Sequence, residues 1–113
     1  MCSENQLHQI TCAIATIAAE SLQNNLDSVI LYGSYARGDY DEQSDIDMMI
    51  LAHIPPEQCW QYTNSIAEKM TDLELHYDVI ISVHVVSSAV FHRYMNDLPF
   101  YANVNREGIR IAV

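Results

Sequence analysis

The chain has 113 residues, half of them apolar, which suffices for one compact domain over residues 1–113 and not for two. Fifteen acidic residues face five basic ones for a net charge of −10, so no basic patch exists to displace counterions from a nucleic-acid backbone, and no direct nucleic-acid partner is expected. No run of eighteen apolar residues marks a membrane span, and Met1–Asn5 lacks the basic start and apolar run of a signal peptide. Cys2, Cys12 and Cys59 are odd in number and lack metal or redox spacing, so they read as free thiols in a reducing cytoplasm.

Ser3 with Gln6 fits a capping box, and Leu7, Ile10, Ile14, Ile17 and Ala18 follow at helical spacing, so a helix is expected over about 4–24. Asn24, Asn25 and Asp27 break it, and Ser28–Tyr32 reads as a short buried strand ending at Gly33. A polar loop over 39–44 leads to a second strand over 45–52. Its alternation puts Ile46, Met48 and Ile50 on one face and Asp45, Asp47 and Met49 on the other. Pro55-Pro56 suits a helix start, and Cys59, Tyr62, Ile66, Met70 and Leu73 give that helix one apolar stripe. A third strand is expected over 77–86. Val79, Ile81, Val83 and Val85 would form its apolar face, and Asp78, Ile80, Ser82 and His84 its mixed face.

Ser87 or Ser88 can cap a short helix through Tyr94, and a last helix follows Leu98-Pro99 to about Glu107. Gly108 stands where a C-terminal glycine stop belongs, and Ile109-Arg110-Ile111 suits an edge strand. The expected fold is α/β (α+β), a small mixed sheet of 3–4 strands packed against helices, with the core expected on one face of the sheet.

The chemistry sits between the first two strands. A Gly33-Ser34 turn exposes backbone N–H groups and a hydroxyl that can hold phosphate oxygens, and Arg37 can add charge against a triphosphate. Asp45 and Asp47 point the same way and lie within reach of one ion, and magnesium is commonly held by one or two carboxylates plus substrate phosphates. Aspartate is disfavoured in strands, so two at alternating positions call for a reason. A third carboxylate is expected from a neighbouring strand. Asp78 is the candidate, and Asp72 or Glu74 would replace it if that strand were misregistered. A helix–loop–helix calcium site over Asp39, Asp41, Gln43, Asp45 and Asp47 is rejected, because Ser44 and Ile50 stand where glycine and glutamate are needed.

Gly33-Ser34-x-Ala36-Arg37-Gly38, five residues, then Ser44-Asp45-Ile46-Asp47 closely resembles the signature of the minimal nucleotidyltransferases of the DNA polymerase β-like superfamily. The order helix, strand, Gly-Ser turn, Asp-x-Asp strand, helix and Asp-headed strand extends the resemblance over nearly all the chain. The resemblance implies nucleotidyl transfer. Gly33, Ser34, Arg37 and Ser44 would bind the nucleotide, and Asp45, Asp47 and Asp78 would be the catalytic carboxylates and the ligands of Mg2+, two ions about 3.5–4 Å apart. It implies a nucleoside triphosphate donor, ATP by preference, giving AMP to a protein hydroxyl. Stand-alone members of this kind commonly act as antitoxins beside a HEPN-type ribonuclease toxin. The alternatives are a non-catalytic antitoxin or binding module of the same fold, or transfer to a small molecule such as an aminoglycoside across a homodimer cleft. A hetero-oligomer with the protein partner is equally open.

Other residues have plainer readings. His8, His53, His76, His84 and His92 show no ligand spacing, and His84 is of interest only for sharing the expected face of Asp78. Tyr35 and Tyr40 flank the Gly-Ser loop and read chiefly as packing residues, with base stacking or self-modification as the sharper alternative. The acidic loop Asp39-Asp41-Glu42 reads as a solvated turn that can also orient a basic partner.

Overall fold

A computed structural model describes residues 3–112; Cys2, read above as a free thiol, lies outside them. The elements run α1 (Glu4–Leu22), β1 (Leu26–Tyr32), α2 (Ser34–Arg37), β2 (Ile46–Ala52), α3 (Cys59–Lys69), α4 (Thr71–Tyr77), β3 (Ile81–Ser87), α5 (Ser88–Tyr94), α6 (Pro99–Glu107) and β4 (Ile109–Ile111). The capping box at Ser3 forms as expected: Gln6 N–H donates to the Ser3 hydroxyl at 3.2 Å and Ser3 N–H to Gln6 Oε1 at 3.0 Å.

Among the described residues the sheet has four strands in the order β3-β2-β1-β4. β1 pairs antiparallel with both β2 and β4, and β2 pairs parallel with β3. A parallel pair needs a long crossover, and α3 and α4 form it. β2 is central, and Met48 through Ala52 are all fully buried, which is why that run is apolar on both faces rather than alternating. The larger core joins Ile10, Ile14 and Ala18 of α1 and Ile66 of α3 to Met48, Ile50 and Ala52.

The expectation of a core on one face is corrected. α5 and α6 cover part of the other face, where Phe91 and Val104 pack on Ile30, Met49 and Leu51. The helix expected to follow Pro55 is also two helices, broken at Met70, with Cys59, Ile66 and Met70 buried in the core. The third strand starts at Ile81 rather than Tyr77. α4 persists to Tyr77, and Asp78 ends it in left-handed backbone (φ 53, ψ 53), a conformation aspartate tolerates better than most residues. The outer edge of β3 is protected by the crossover: Ile81 N–H donates to Glu74 Oε2 and Val85 N–H to Thr63 Oγ1, both at 3.0 Å.

Gly108 follows α6 as expected, yet its backbone is extended (φ −67, ψ 147) rather than left-handed. Its requirement is steric, since a Cβ there would overlap Ile30 Cγ2 and the Val104 carbonyl. Gly108→Ala is therefore expected to lower stability by about 1–3 kcal/mol through overpacking between α6 and β1, read as a fall in the urea midpoint at unchanged m-value.

Candidate active site

The antiparallel register opposes Tyr32, the last residue of β1, to Asp47, the second of β2. The chain leaving β1 must therefore turn directly over the Asp47 side chain. Gly33 makes that turn with φ 75 and ψ −155, and a Cβ at this position would overlap Asp47 Oδ2. Glycine is needed here twice over, for the backbone angle and for the carboxylate. Ser34 then opens α2, whose single turn is closed by Gly38 in left-handed backbone, with Gly38 N–H donating to the Ser34 carbonyl at 2.9 Å.

Gly33, Ser34, Arg37 and Asp47 line one cavity of about 370 Å³. Its far wall is α6, through Phe100, Asn103, Val104 and Glu107. These fall at helical spacing on one face of α6. That spacing was legible, but nothing in it linked a helix over sixty residues downstream to the Gly-Ser turn. Phe100 stands edge-on to Tyr32, with ring centroids 5.7 Å apart. Arg37 reaches both Asp39 (3.3 Å) and Glu107 (3.6 Å), tying the loop to α6. Asp39 and then Glu107 hold its guanidinium firmly protonated.

The second strand starts at Ile46 rather than Asp45, so Asp45 stands exposed in the loop just ahead of β2 while Asp47 is half-buried within it. Burial first, and then the charge of Asp45, raise the Asp47 pKa above the usual carboxylate value, against smaller opposing effects of His84 and Arg37. Burial and the Asp47 charge together push the Tyr32 phenol up to about 12, so its proton stays in place at neutral pH. A pair of like charges held together, with the more buried one resisting ionisation, suits a cation.

The other expected site residues lie apart from this cavity. Asp78 is exposed at the C-terminal end of α4, three residues ahead of β3, and lines a second cavity of about 510 Å³ together with Asp45 and Ser44. Ser44 N–H donates to the Asp41 carbonyl, and its hydroxyl accepts from Asp41 N–H at 3.0 Å, so Ser44 fixes the loop entering β2. The β3 residue registered with Asp47 is Ser82, whose hydroxyl lies 3.4 Å from His84 Nε2. Neither Asp72 nor Glu74 replaces Asp78, because both sit on α4 and the Glu74 carboxylate caps β3. Among the described residues no group of three His, Cys, Asp or Glu side chains is placed to hold a metal ion. Asp45 and Asp47 are the hard oxygen donors that would hold one Mg2+, with substrate phosphates and water completing its shell. Tyr35 is buried with its ring stacked on Tyr40 at 4.3 Å, the packing role expected of it.

The raised Asp47 pKa fixes the sign of a stability effect. A carboxyl whose pKa is raised on folding favours the folded state only while protonated, and that contribution is lost as pH rises through its folded pKa. Asp47→Asn is therefore expected to melt a few degrees above the wild type at pH 7. The difference should vanish below the ordinary carboxylate range, near pH 3, in melts recorded across pH.

Known proteins resemble this chain in family and in fold. The family described as "Polymerase beta, Nucleotidyltransferase" matches residues 14–105. The "Putative protein adenylyltransferase MJ0141" of Methanocaldococcus jannaschii is 38% identical over 81 residues, covering 71% of this chain and 79% of that protein. A structure described as a "putative minimal nucleotidyltransferase" superposes with a TM-score of 0.60 at 22% identity, covering 95% of this chain and 94% of that one. A toxin–antitoxin structure with AMP-PNP gives a TM-score of 0.51 at 18% identity, covering 87% of this chain and 69% of that one. No helix among the described residues is long and apolar enough to cross a membrane. A Gly-Ser turn folded over the second aspartate of an Asp-x-Asp strand, in a chain matched over residues 14–105, places this protein in the polymerase β-type nucleotidyltransferase family as a nucleotidyltransferase.

Proposed function

We propose that this chain, acting as one domain in the cytoplasm, transfers AMP from ATP to a hydroxyl of a protein partner in the presence of Mg2+. The observation that carries the reading is the approach of Gly33 to the Asp47 carboxylate inside a cavity that also holds Ser34 and Arg37. The turn would hold the β- and γ-phosphates through backbone N–H groups and the Ser34 hydroxyl, and Arg37 would exchange Glu107 for phosphate oxygens. Mg2+ bound by Asp45 and Asp47 would supply Lewis-acid charge at the phosphates. The acceptor oxygen attacks the α-phosphorus, the bond to the bridging oxygen of the β-phosphate breaks, pyrophosphate leaves and the hydroxyl proton passes to water.

The partner fits best as a toxin of the HEPN ribonuclease type, with this chain as its antitoxin in a hetero-oligomer. Support comes from the relative named as a protein adenylyltransferase and from the fold shared with a toxin–antitoxin structure. A net charge of −10 favours a protein acceptor over a nucleic acid. The free thiols of Cys12 and Cys59 suit a reducing compartment.

One observation favours a second reading. Ser82, not a carboxylate, stands on β3 opposite Asp47, as expected of a copy that neutralises its partner by binding alone. Intact mass of this protein and the product of its neighbouring gene, after incubation with ATP and Mg2+, separates the two. The transfer reading expects an AMP increment on the neighbour, reduced at least about 10³-fold by Asp45→Asn with Asp47→Asn while the complex persists. Inhibition of the partner that survives this double change, with no increment on either chain, establishes the binding reading.

A further inference from the structure

Asp45, one residue ahead of β2, and Asp47, the second residue of β2, open into different cavities. Asp47 faces the one that contains Gly33, Ser34 and Arg37. Asp45 faces the larger one, about 510 Å³, whose walls are the loop entering β2 (Glu42, Ser44) and the turn entering β3 (Asp78, Ile80), with Tyr35 between them. Both walls are fixed. Ser44 and Asp41 bond each other on one side, and on the other Ile46 N–H donates to the Ile80 carbonyl at 2.9 Å while Glu74 holds Ile81 N–H. Among the described residues, Glu42, Asp45 and Asp78 give this cavity three carboxylates and no basic residue lines it, and Ile80 leaves 62% of its surface exposed.

Displacement at phosphorus is in line: the nucleophile enters opposite the leaving group. With the leaving pyrophosphate against Gly33 and Ser34, the acceptor hydroxyl would enter away from that turn, and the second cavity opens beside Asp45 rather than beside Gly33. We propose that the cavity between the Glu42–Ser44 loop and the Asp78–Ile80 turn is the acceptor site. Its occupant is a basic polypeptide segment carrying its hydroxyl beside a lysine or arginine and an apolar residue against Ile80. This rests on the nucleotidyl-transfer reading and adds the class of acceptor to it. Asp78 then serves acceptor binding rather than metal binding. The apolar wall favours a peptide over a small polycation, which has charge but no apolar side chain to set on Ile80.

The test uses the full chain and two fluorescein-labelled peptides, Ala-Lys-Arg-Tyr-Leu-Lys and the same sequence with glutamate at its three basic positions, followed by fluorescence anisotropy. The basic peptide should bind and the acidic one should not. Glu42→Gln with Asp78→Asn should weaken the basic peptide at least about fivefold, as expected for two exposed charge contacts. The same variant should leave the affinity for a fluorescent ATP analogue with Mg2+ within about twofold, a limit set by the resolution of such a comparison. Glu4→Gln with Glu20→Gln, on α1 and outside both cavities, should leave peptide binding unchanged.

An equal loss in the α1 variant would mean that bulk charge alone is read, and it overturns the proposal. A parallel loss of nucleotide affinity in the Asp78 variant assigns Asp78 to the metal and also overturns it. Spermine displacing the peptide at matched concentration overturns the peptide assignment. If the wild type binds the peptide but no nucleotide, the transfer reading fails while the cavity's preference is measured independently.

Discussion

The antiparallel pairing of β1 with β2 governs the whole site. Its register sets Tyr32 opposite Asp47, so the chain that leaves β1 has no path except over that carboxylate. Only a residue without a Cβ passes, and Gly33 does so with a positive φ that directs the next residues into a single helical turn. A slip of one residue in this pairing would send Asp47 into the larger core and bring Met48 to the cavity. The register is in turn held by burial. Met48 through Ala52 sit between two hydrophobic clusters, so moving β2 would disturb both at once.

That arrangement sets stability against function. The same burial that fixes β2 draws Asp47 partly out of water, beside the charge of Asp45, and makes its ionisation less favourable than that of a free carboxyl. If Asp47 serves as a metal ligand as proposed, a bound cation would offset that cost. Arg37 opposes the rise in the Asp47 pKa only weakly. It is engaged with Asp39 and Glu107 rather than with Asp47, and its effect on Asp47 is small. The ion pair to Glu107 is partly exposed and weakly held, so exchange for phosphate oxygens asks little of it.

The sequence made legible what depends on local pattern. The capping box at Ser3, the strand that carries Asp47, and the Gly-Ser turn are all written in adjacent residues, though that strand begins one residue after Asp45. What depends on where a helix stops was less legible. Residues 77–86 alternate well enough to read as strand throughout, yet α4 runs to Tyr77 and the left-handed Asp78 spends the turn that a strand would have continued. Period-two alternation and a helix end can share the same few residues, and tertiary packing decides between them. Distance along the chain hid α6. Phe100, Asn103 and Glu107 carry the helical spacing of a single face, but only the fold shows that this face closes the cavity of Gly33. Gly108 was expected in its place for one reason and is required for another. Close approach to Ile30, rather than a left-handed stop, excludes a side chain.

Ser82 bears on how the carboxylate pair is used. Directly registered with Asp47 on a strand whose outer edge is sealed by Glu74 and Thr63, it occupies the position from which a neighbouring strand would present a third ligand. A serine hydroxyl is a neutral and weaker ligand for a hard cation than a carboxylate. If Asp45 and Asp47 hold the ion as proposed, the protein would supply two negative charges, and the triphosphate and water would complete the shell. Ion and nucleotide would then bind as a unit, each weak without the other. β3 carries no carboxylate, so on the proposed reading the proton of the acceptor hydroxyl would have no carboxylate there to receive it. Such a site would lean more heavily on placing the acceptor well than on activating it, and the hydrogen-bonded walls beside Asp45 would provide that placement.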